Sequence, residues 1–415
     1  MYVLLLGVLL LFVIGFYFGK EWEPFANYKS DDAYTKQIQL LHDRYEPYSS
    51  GKAPIRDLVT DLEDSERCFI NYYALGVRFP SYLGPTMNGY MDADIGVQTA
   101  VQAGSRVFVL DIDYVDDCTP YPTLAVTDKQ GKNMIAPSSN LPLCKSDSQS
   151  PLFDICSKIN FYAFSDGCSQ REDPVIIVLY FKRQPPGSYQ SKAVLDYFAA
   201  VARALAPFQD RLLTNELDGG TFYRQKQEGR LLINNITEYN GKVLVFSNAN
   251  TSGFRQSQAY PLSEDLDYMT HLRLHTGMTA MGVTEKESNG IFGALQPPED
   301  FMQLSSVQAA TLAEQTKLRW TICLGQDPMN MVPEKICTTV MNSNGLADVP
   351  AVNCVPALLF DPTSTYLFSD SLFKKYGFLP KPKAVRYQKP PIVTPSKPSK
   401  TTDAKGGALQ GPTFL

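Results

Sequence analysis

The sequence is short of histidine, of tryptophan and of charge of a single sign. Only His42, His271 and His275 occur in 415 residues, with two tryptophans, so chemistry that needs an imidazole base has three places to find one. The 38 basic and 43 acidic side chains leave a formal net charge of −5, which gives the whole chain no electrostatic reason to bind nucleic acid. Eight cysteines (Cys68, Cys118, Cys144, Cys156, Cys168, Cys323, Cys337, Cys354) contain no C-x-x-C pair, which argues against a zinc site. Their even number is compatible with disulfides, their dispersion equally with buried thiols. Asn235-Ile-Thr and Asn250-Thr-Ser are acceptor sequences for glycosylation, the second weak sign of an oxidising compartment.

Long hydrophobic runs are missing too, with one exception. Tyr2 to Gly19, "YVLLLGVLLLFVIGFYFG", carries no charge and is long enough to span bilayer hydrocarbon as a helix. A cleaved signal peptide would need a basic start and a small-x-small cleavage site, and neither is present. The expectation is a transmembrane anchor over residues 1–20, with the lipid bilayer as partner of residues 2–19. Its topology stays open, because Lys20 is followed closely by Glu21 and Glu23.

Residues 21–66 are polar and tyrosine-rich, with one helix predicted near "AYTKQIQLLHDRY", and read as a stalk or a layer against the main domain. From Cys68 short β-branched and aromatic runs alternate with helical segments. The strand candidates are "CFINYYALGV", "RVFVLDIDYV", "PTLAVTD", "PVIIVLYF", "GKVLVFSNA", "THLRLHTG", "LRWTICLG" and "VPALLFDP". Between them "LFDICSKINFYAF", "SKAVLDYFAAVARALAPFQDRLL" and "FMQLSSVQAATLAEQTK" have helical periodicity. Alternation of this kind implies parallel strands joined by crossovers, and eight candidates favour a closed (β/α)8 TIM-type barrel over an open sheet. The barrel is placed at 67–387, with halves at 67–213 and 214–387. Residues 388–415 are rich in Pro, Lys, Ser and Thr, with Asp403 the only acid, and cannot build a core.

Four stretches carry a family resemblance. "SYLGP" (Ser81 to Pro85), "AVQAGSRVFVLDIDYVDD" (Ala100 to Asp117), "DPVIIVLYF" (Asp173 to Phe181), and "VPALLFDPTS" with "YGFLPKPKAVR" stand in one order along the chain. Together they resemble the phosphoinositide-specific phospholipases C, a TIM-barrel family. The resemblance implies one histidine as base on the inositol 2-hydroxyl, a second steadying phosphorus oxygens, and a calcium ion held by Asn, Glu, Asp and Glu at strand ends.

Placed on those motifs, the residues needed are mostly replaced. Phe79 stands at the first histidine, Pro80 at the asparagine, Val109 and Tyr180 at the two glutamates and Val126 at the second histidine, leaving Asp111 as the one retained ligand type. Phenylalanine takes no proton and proline offers no side-chain oxygen. The resemblance therefore points to a catalytically degenerate member with no catalytic residue, no metal and no cofactor. Asp111 and Asp113 share one strand face, either as a carboxylate pair at the mouth or as a turn cap and local ion pair.

A relocated site is the alternative. His271, Arg273 and His275 in "HLRLH" share a strand face and either gather phosphate at the barrel mouth or face solvent and the acidic "SEDLD". Arg319 stands where the family's substrate-binding arginine is expected, although Thr321 occupies the tyrosine position that should accompany it. The reading favoured by the sequence is a membrane-anchored, inactive phospholipase-C-like barrel used as a structural or interaction module. Because such barrels also occur in large DNA viruses, a virion membrane or minor capsid role follows by analogy. Active phosphodiesterase and non-cleaving phosphoinositide binder are the alternatives. The Lys-rich tail would contact anionic lipid or remain solvated, and no specific nucleic acid is expected.

Overall fold

The computed structural model describes residues 31–85, 89–127, 151–213, 225–226, 228–257, 259–276, 292–302, 304–325, 336–337, 340–341, 346, 349–369 and 372–388. The apolar run Tyr2–Gly19 and residues 389–415 lie outside them. Among the described residues, no helix is long and apolar enough to cross a membrane.

Eight parallel strands follow one another around a barrel in chain order: β1 (Gly76–Arg78), β2 (Val107–Asp113), β3 (Val175–Phe181), β4 (Val243–Ser247), β5 (Leu272–Thr276), β6 (Phe292–Gln296), β7 (Arg319–Cys323) and β8 (Pro356–Leu358). The ring closes where Cys323 N–H donates to Cys354 O at 2.9 Å and Cys354 N–H to Thr321 O at 3.2 Å, a parallel bridge just ahead of β8. β8 in turn pairs with β1. The parallel strand ring of the expected α/β, TIM-like fold is therefore present.

The strand count of eight is right, but its membership differs from the sequence reading. "PTLAVTD" supplies only Thr123–Leu124, which folds back antiparallel on the end of β2. The eighth strand is instead β6, "FGALQ". Its Gly293 sits so close to β5 that a Cβ there would meet Leu274 Cδ2 at 2.7 Å and Arg273 O at 2.8 Å. That closeness demands a small residue, which weakens the β-strand signal.

Alternation along the strands sorts side chains into two cores. Val107, Val109, Ile176, Val178, Leu244, Phe246, Leu274, Leu295, Trp320 and Ile322 fill the barrel interior, with Phe246 and Trp320 packed edge to face at 4.9 Å. The alternate residues, including Phe108, Leu110, Ile112, Ile177, Leu179 and Val245, face the surrounding helices.

The predicted helices form that outer layer. α1 (Asp31–Tyr45) places Leu41 and Tyr45 in the outer core, so this part of the N-terminal extension is a packed layer. α2 (Ala93–Gln102) links β1 to β2, α3 (Pro151–Phe164) links β2 to β3, α4 (Lys192–Ala204) links β3 to β4 and α5 (Ser306–Leu318) links β6 to β7. Asp92 caps α2 by accepting from Ile95 N–H at 2.9 Å and also takes the Tyr34 hydroxyl, which ties α1 to the barrel. Cys118 is disulfide-bonded, whereas Cys156, Cys168, Cys323, Cys337 and Cys354 are free thiols.

Candidate functional site

The carboxyl ends of barrel strands are where chemistry is sited in this architecture. At the end of β1 the chain turns sharply: Phe79 has φ +53°, a left-handed conformation uncommon for a residue with a large side chain. The Tyr82 N–H closes the turn on Phe79 O at 2.9 Å. α2 packs directly behind it, where a Cβ on Gly96 would lie 2.1 Å from Pro80 O. A glycine is thus required at the point where helix and turn touch.

The fold-back at the end of β2 supplies the other wall. Ala125 N–H donates to Asp111 O at 3.0 Å, bringing Val126 over the mouth. Phe79, Pro80, Val109, Asp111 and Val126 consequently line one small cavity, together with Ser81, Met91 and Leu124. Tyr180 stands beside Asp111 in register on β3. Six positions spread from Phe79 to Tyr180, each singled out by motif, are neighbours in space.

What fills this mouth is a side chain that the motif reading passed over. Arg78 is fully buried and binds both oxygens of Asp111, Nε to Oδ1 at 2.9 Å and Nη2 to Oδ2 at 2.5 Å. Its Nη1 donates to Gly325 O at 2.6 Å, at the end of β7. The guanidinium lies 4.8 Å from the Phe79 ring centroid and 5.5 Å from that of Tyr180, within cation–π range. Lys182 Nζ approaches Asp111 Oδ2 at 3.6 Å and donates to Thr127 Oγ1 at 2.7 Å. Burial lowers the Lys182 pKa, with Asp111 opposing the shift, and raises that of Tyr180.

The donor set does not fit a calcium ion. A hard divalent cation takes six to eight oxygen ligands, and Asp111 is the one carboxylate lining the cavity. Both its oxygens are taken by Arg78. Among the described residues no group of three or more His, Cys, Asp or Glu converges as a metal site. The cavity measures about 10 Å³, at the lower limit for one water molecule.

Asp113, the other acid of β2, forms the local contacts expected of a strand-end carboxylate. It accepts from Arg183 Nε at 2.7 Å and from the Tyr114 N–H at 2.9 Å. It is not paired with Asp111 across an open mouth.

The remaining candidates lie elsewhere. Leu274 belongs to the barrel interior, so His271, Arg273 and His275 share the opposite, outward face of β5, and the expectation that they gather at the mouth is corrected. His271 is a buried staple: its Nδ1 accepts from Val245 N–H at 2.8 Å and its Nε2 lies 2.8 Å from Leu213 O. Desolvation lowers its pKa to about 4, so the ring is neutral. Arg273 is exposed and His275 half-buried. Arg319 opens β7 at the opposite end of the barrel and bonds Gln315 Oε1 at 3.0 Å, which separates it from Asp111. His42 is on the exposed surface of α1.

Arg78 was legible in principle. It sits inside "GVRFP", two residues after Gly76 and therefore on the same strand face, and an arginine at an inward strand end requires an acid.

No protein-family profile matches the chain, and no curated protein matches it. Similar solved structures are found. PLC21 from L. pealei is 13% identical, with 78% of this chain and 38% of that chain covered and a TM-score of 0.48. The match thus spans well under half the length of PLC21. A calcium-dependent phosphoinositol-specific phospholipase C from a Gram-negative Pseudomonas species is 11% identical over 76% of this chain and 96% of its own, at a TM-score of 0.44. A Ca-dependent phosphatidylinositol-specific phospholipase C from Streptomyces antibioticus is 10% identical over 76% and 99%, at 0.42. The parallel barrel is the feature in which this chain is similar to those phospholipases C.

Proposed function

We propose that the chain is a phospholipase-C-like barrel without phospholipase activity, held at a cellular or virion membrane by residues 2–19 and used as a structural or interaction module. One observation carries the reading: the ring of Phe79, with the guanidinium of Arg78 beneath it, fills the mouth where a base, a metal and a headgroup would have to meet. General acid–base catalysis needs a titrating group within hydrogen-bond reach of the reacting hydroxyl. No histidine lines this cavity. Barrel stability resides in the interior layers and not in the mouth, so the fold survives the exchange.

The alternatives are weaker for stated reasons. A relocated phosphodiesterase built on His271 would need a ring that is instead buried and bonded on both nitrogens. A headgroup binder using this cavity would need more than its roughly 10 Å³.

The test is phosphatidylinositol hydrolysis by the full-length chain in mixed micelles, read as released inositol phosphate, with calcium and with chelator. The expected result is no turnover above the blank under either condition. Turnover that vanishes on changing His271 or His275 would restore the enzyme reading. Flotation of the full-length chain with liposomes, lost on deleting residues 2–19, is the matching test of the anchor.

A further inference from the structure

The charge balance of the mouth extends this reading and rests on it. Asp111 is buried, its carboxylate fully enclosed, and an ionised carboxylate in such surroundings requires a cation. Metal-binding barrels supply that cation from solution. Here it comes from the chain. We propose that Arg78 is a tethered counter-ion that takes the place of a divalent metal, so that the mouth is assembled and the Asp111 charge is matched with no ion bound.

Three features of the geometry carry this. Arg78 engages both oxygens of Asp111 in the forked manner that a guanidinium adopts with a carboxylate. Its third contact, to Gly325 O at 2.6 Å, joins the end of β1 to the end of β7, a cross-mouth link of the sort an ion with several ligands makes. The guanidinium carbon lies over the rings of Phe79 and Tyr180, 4.8 and 5.5 Å from their centroids, two rings at positions where the resemblance expects a base and a metal ligand. The aromatic replacements and the arginine therefore form one unit: rings suit a planar cation and would leave a spherical one without oxygens. Lys182 adds a second positive charge 3.6 Å from Asp111 Oδ2, which further disfavours entry of a free cation.

The test uses thermal unfolding of the full-length chain in detergent, with calcium titrated calorimetrically in parallel. Wild-type protein is expected to show no heat of calcium binding and a melting temperature unmoved by millimolar calcium or by chelator. Arg78→Ala is expected to melt several degrees lower. Guanidinium at a concentration too low to denature wild type is expected to recover part of that loss, with potassium and methylammonium recovering none. A calcium-dependent rise in the wild-type melting temperature would overturn the proposal even if Arg78→Ala failed to fold. Equal rescue of Arg78→Ala by all three cations would also overturn it, since the site would then sense only ionic strength. Phosphatidylinositol turnover by wild type, by contrast, would sink the inactive-barrel reading and leave the cation assignment to be judged by the calcium titration.

Discussion

Tyr180 and Asp111 are register partners on adjacent parallel strands, β3 and β2, and both point into the barrel mouth. A carboxylate at the tyrosine would have placed two acids side by side, as a metal site requires. With an aromatic ring there, Asp111 is, among the described residues, the single acid lining the cavity, and its carboxylate is held by Arg78 with Lys182 nearby. The rest of the mouth's chemistry follows from this pairing.

The first prediction concerns that ion pair. Removing one partner of a buried pair strands the other, at a cost of about 3–5 kcal/mol, whereas replacing both by apolar residues is often nearly neutral. Asp111→Leu and Arg78→Met should each lower the unfolding free energy by about that amount. The double variant should lose much less than the sum. Urea titration of the four proteins measures the coupling, and additive losses would mean that the two side chains do not depend on each other.

Phe79 sets a backbone preference against a packing preference. Its left-handed conformation at φ +53° strains a non-glycine residue by about 1–3 kcal/mol, while truncating a buried phenylalanine costs about 3–5 kcal/mol. Both Phe79→Gly and Phe79→Ala should therefore destabilise. Glycine should be the milder by about 1 kcal/mol, since only alanine keeps the strain after the ring is gone. Urea midpoints decide the order, and an alanine variant at least as stable as the glycine one would show that the turn relaxes.

His271 gives a pH signature. Its folded pKa of about 4 lies below the ordinary value of 6.5, so the neutral ring is favoured in the folded state. For a depressed pKa the contribution is present above 6.5 and is lost as pH falls through 4. The full effect is on the order of 3 kcal/mol. Asp173 acts oppositely: burial raises its pKa to about 6, so its contribution is present below 3.8 and lost as pH rises through 6. The readout is thus a difference between wild type and His271→Gln. The wild-type advantage should shrink between pH 6.5 and 4, and a constant difference would remove His271 from the acid response.

The barrel was legible because seven of its strands, such as "VFVLDID" and "VIIVLYF", are runs of β-branched and aromatic residues, a pattern that buried parallel strands need. β6 was not, because contact with β5 selects Gly293 there. The Thr123–Leu124 fold-back was mistaken for a barrel strand because its alternation is real. It packs across the end of β2 as a flap instead of between two neighbours. At the mouth, motif spacing located the right neighbourhood, Phe79 to Tyr180, but motif spacing asks which expected residues are missing. Arg78 belongs to no such motif, and its role appears only when the register of β1 and β2 sets it opposite Val109, two residues before Asp111 on the same strand face. The "HLRLH" cluster failed for a related reason: period two shows that three residues share a face without showing which face is inside.

The last prediction is for Lys381, which lies beneath the opposite end of the barrel. The residue is fully buried, and its amine donates to Asn353 Oδ1 at 3.1 Å and Thr316 O at 3.2 Å, with no carboxylate among those partners. Asn353 holds Ile70 O and Tyr72 O through Nδ2 and takes the Thr321 N–H on Oδ1, so Lys381 completes a knot that joins the chain before β1 to β7 and to the C-terminal segment. Desolvation brings its pKa from 10.5 down to about 7. A depressed lysine contributes stability above 10.5 that is lost as pH falls through 7, because the charged amine is then buried against neutral acceptors. Lys381→Met removes both the hydrogen bonds and the burial of charge. Its stability relative to wild type should therefore be most favourable below pH 7 and should worsen steadily from pH 7 to 10.5. Unfolding free energies of the two proteins across that range test it, and a difference that does not change with pH would mean that the amine keeps an ordinary pKa in the folded chain.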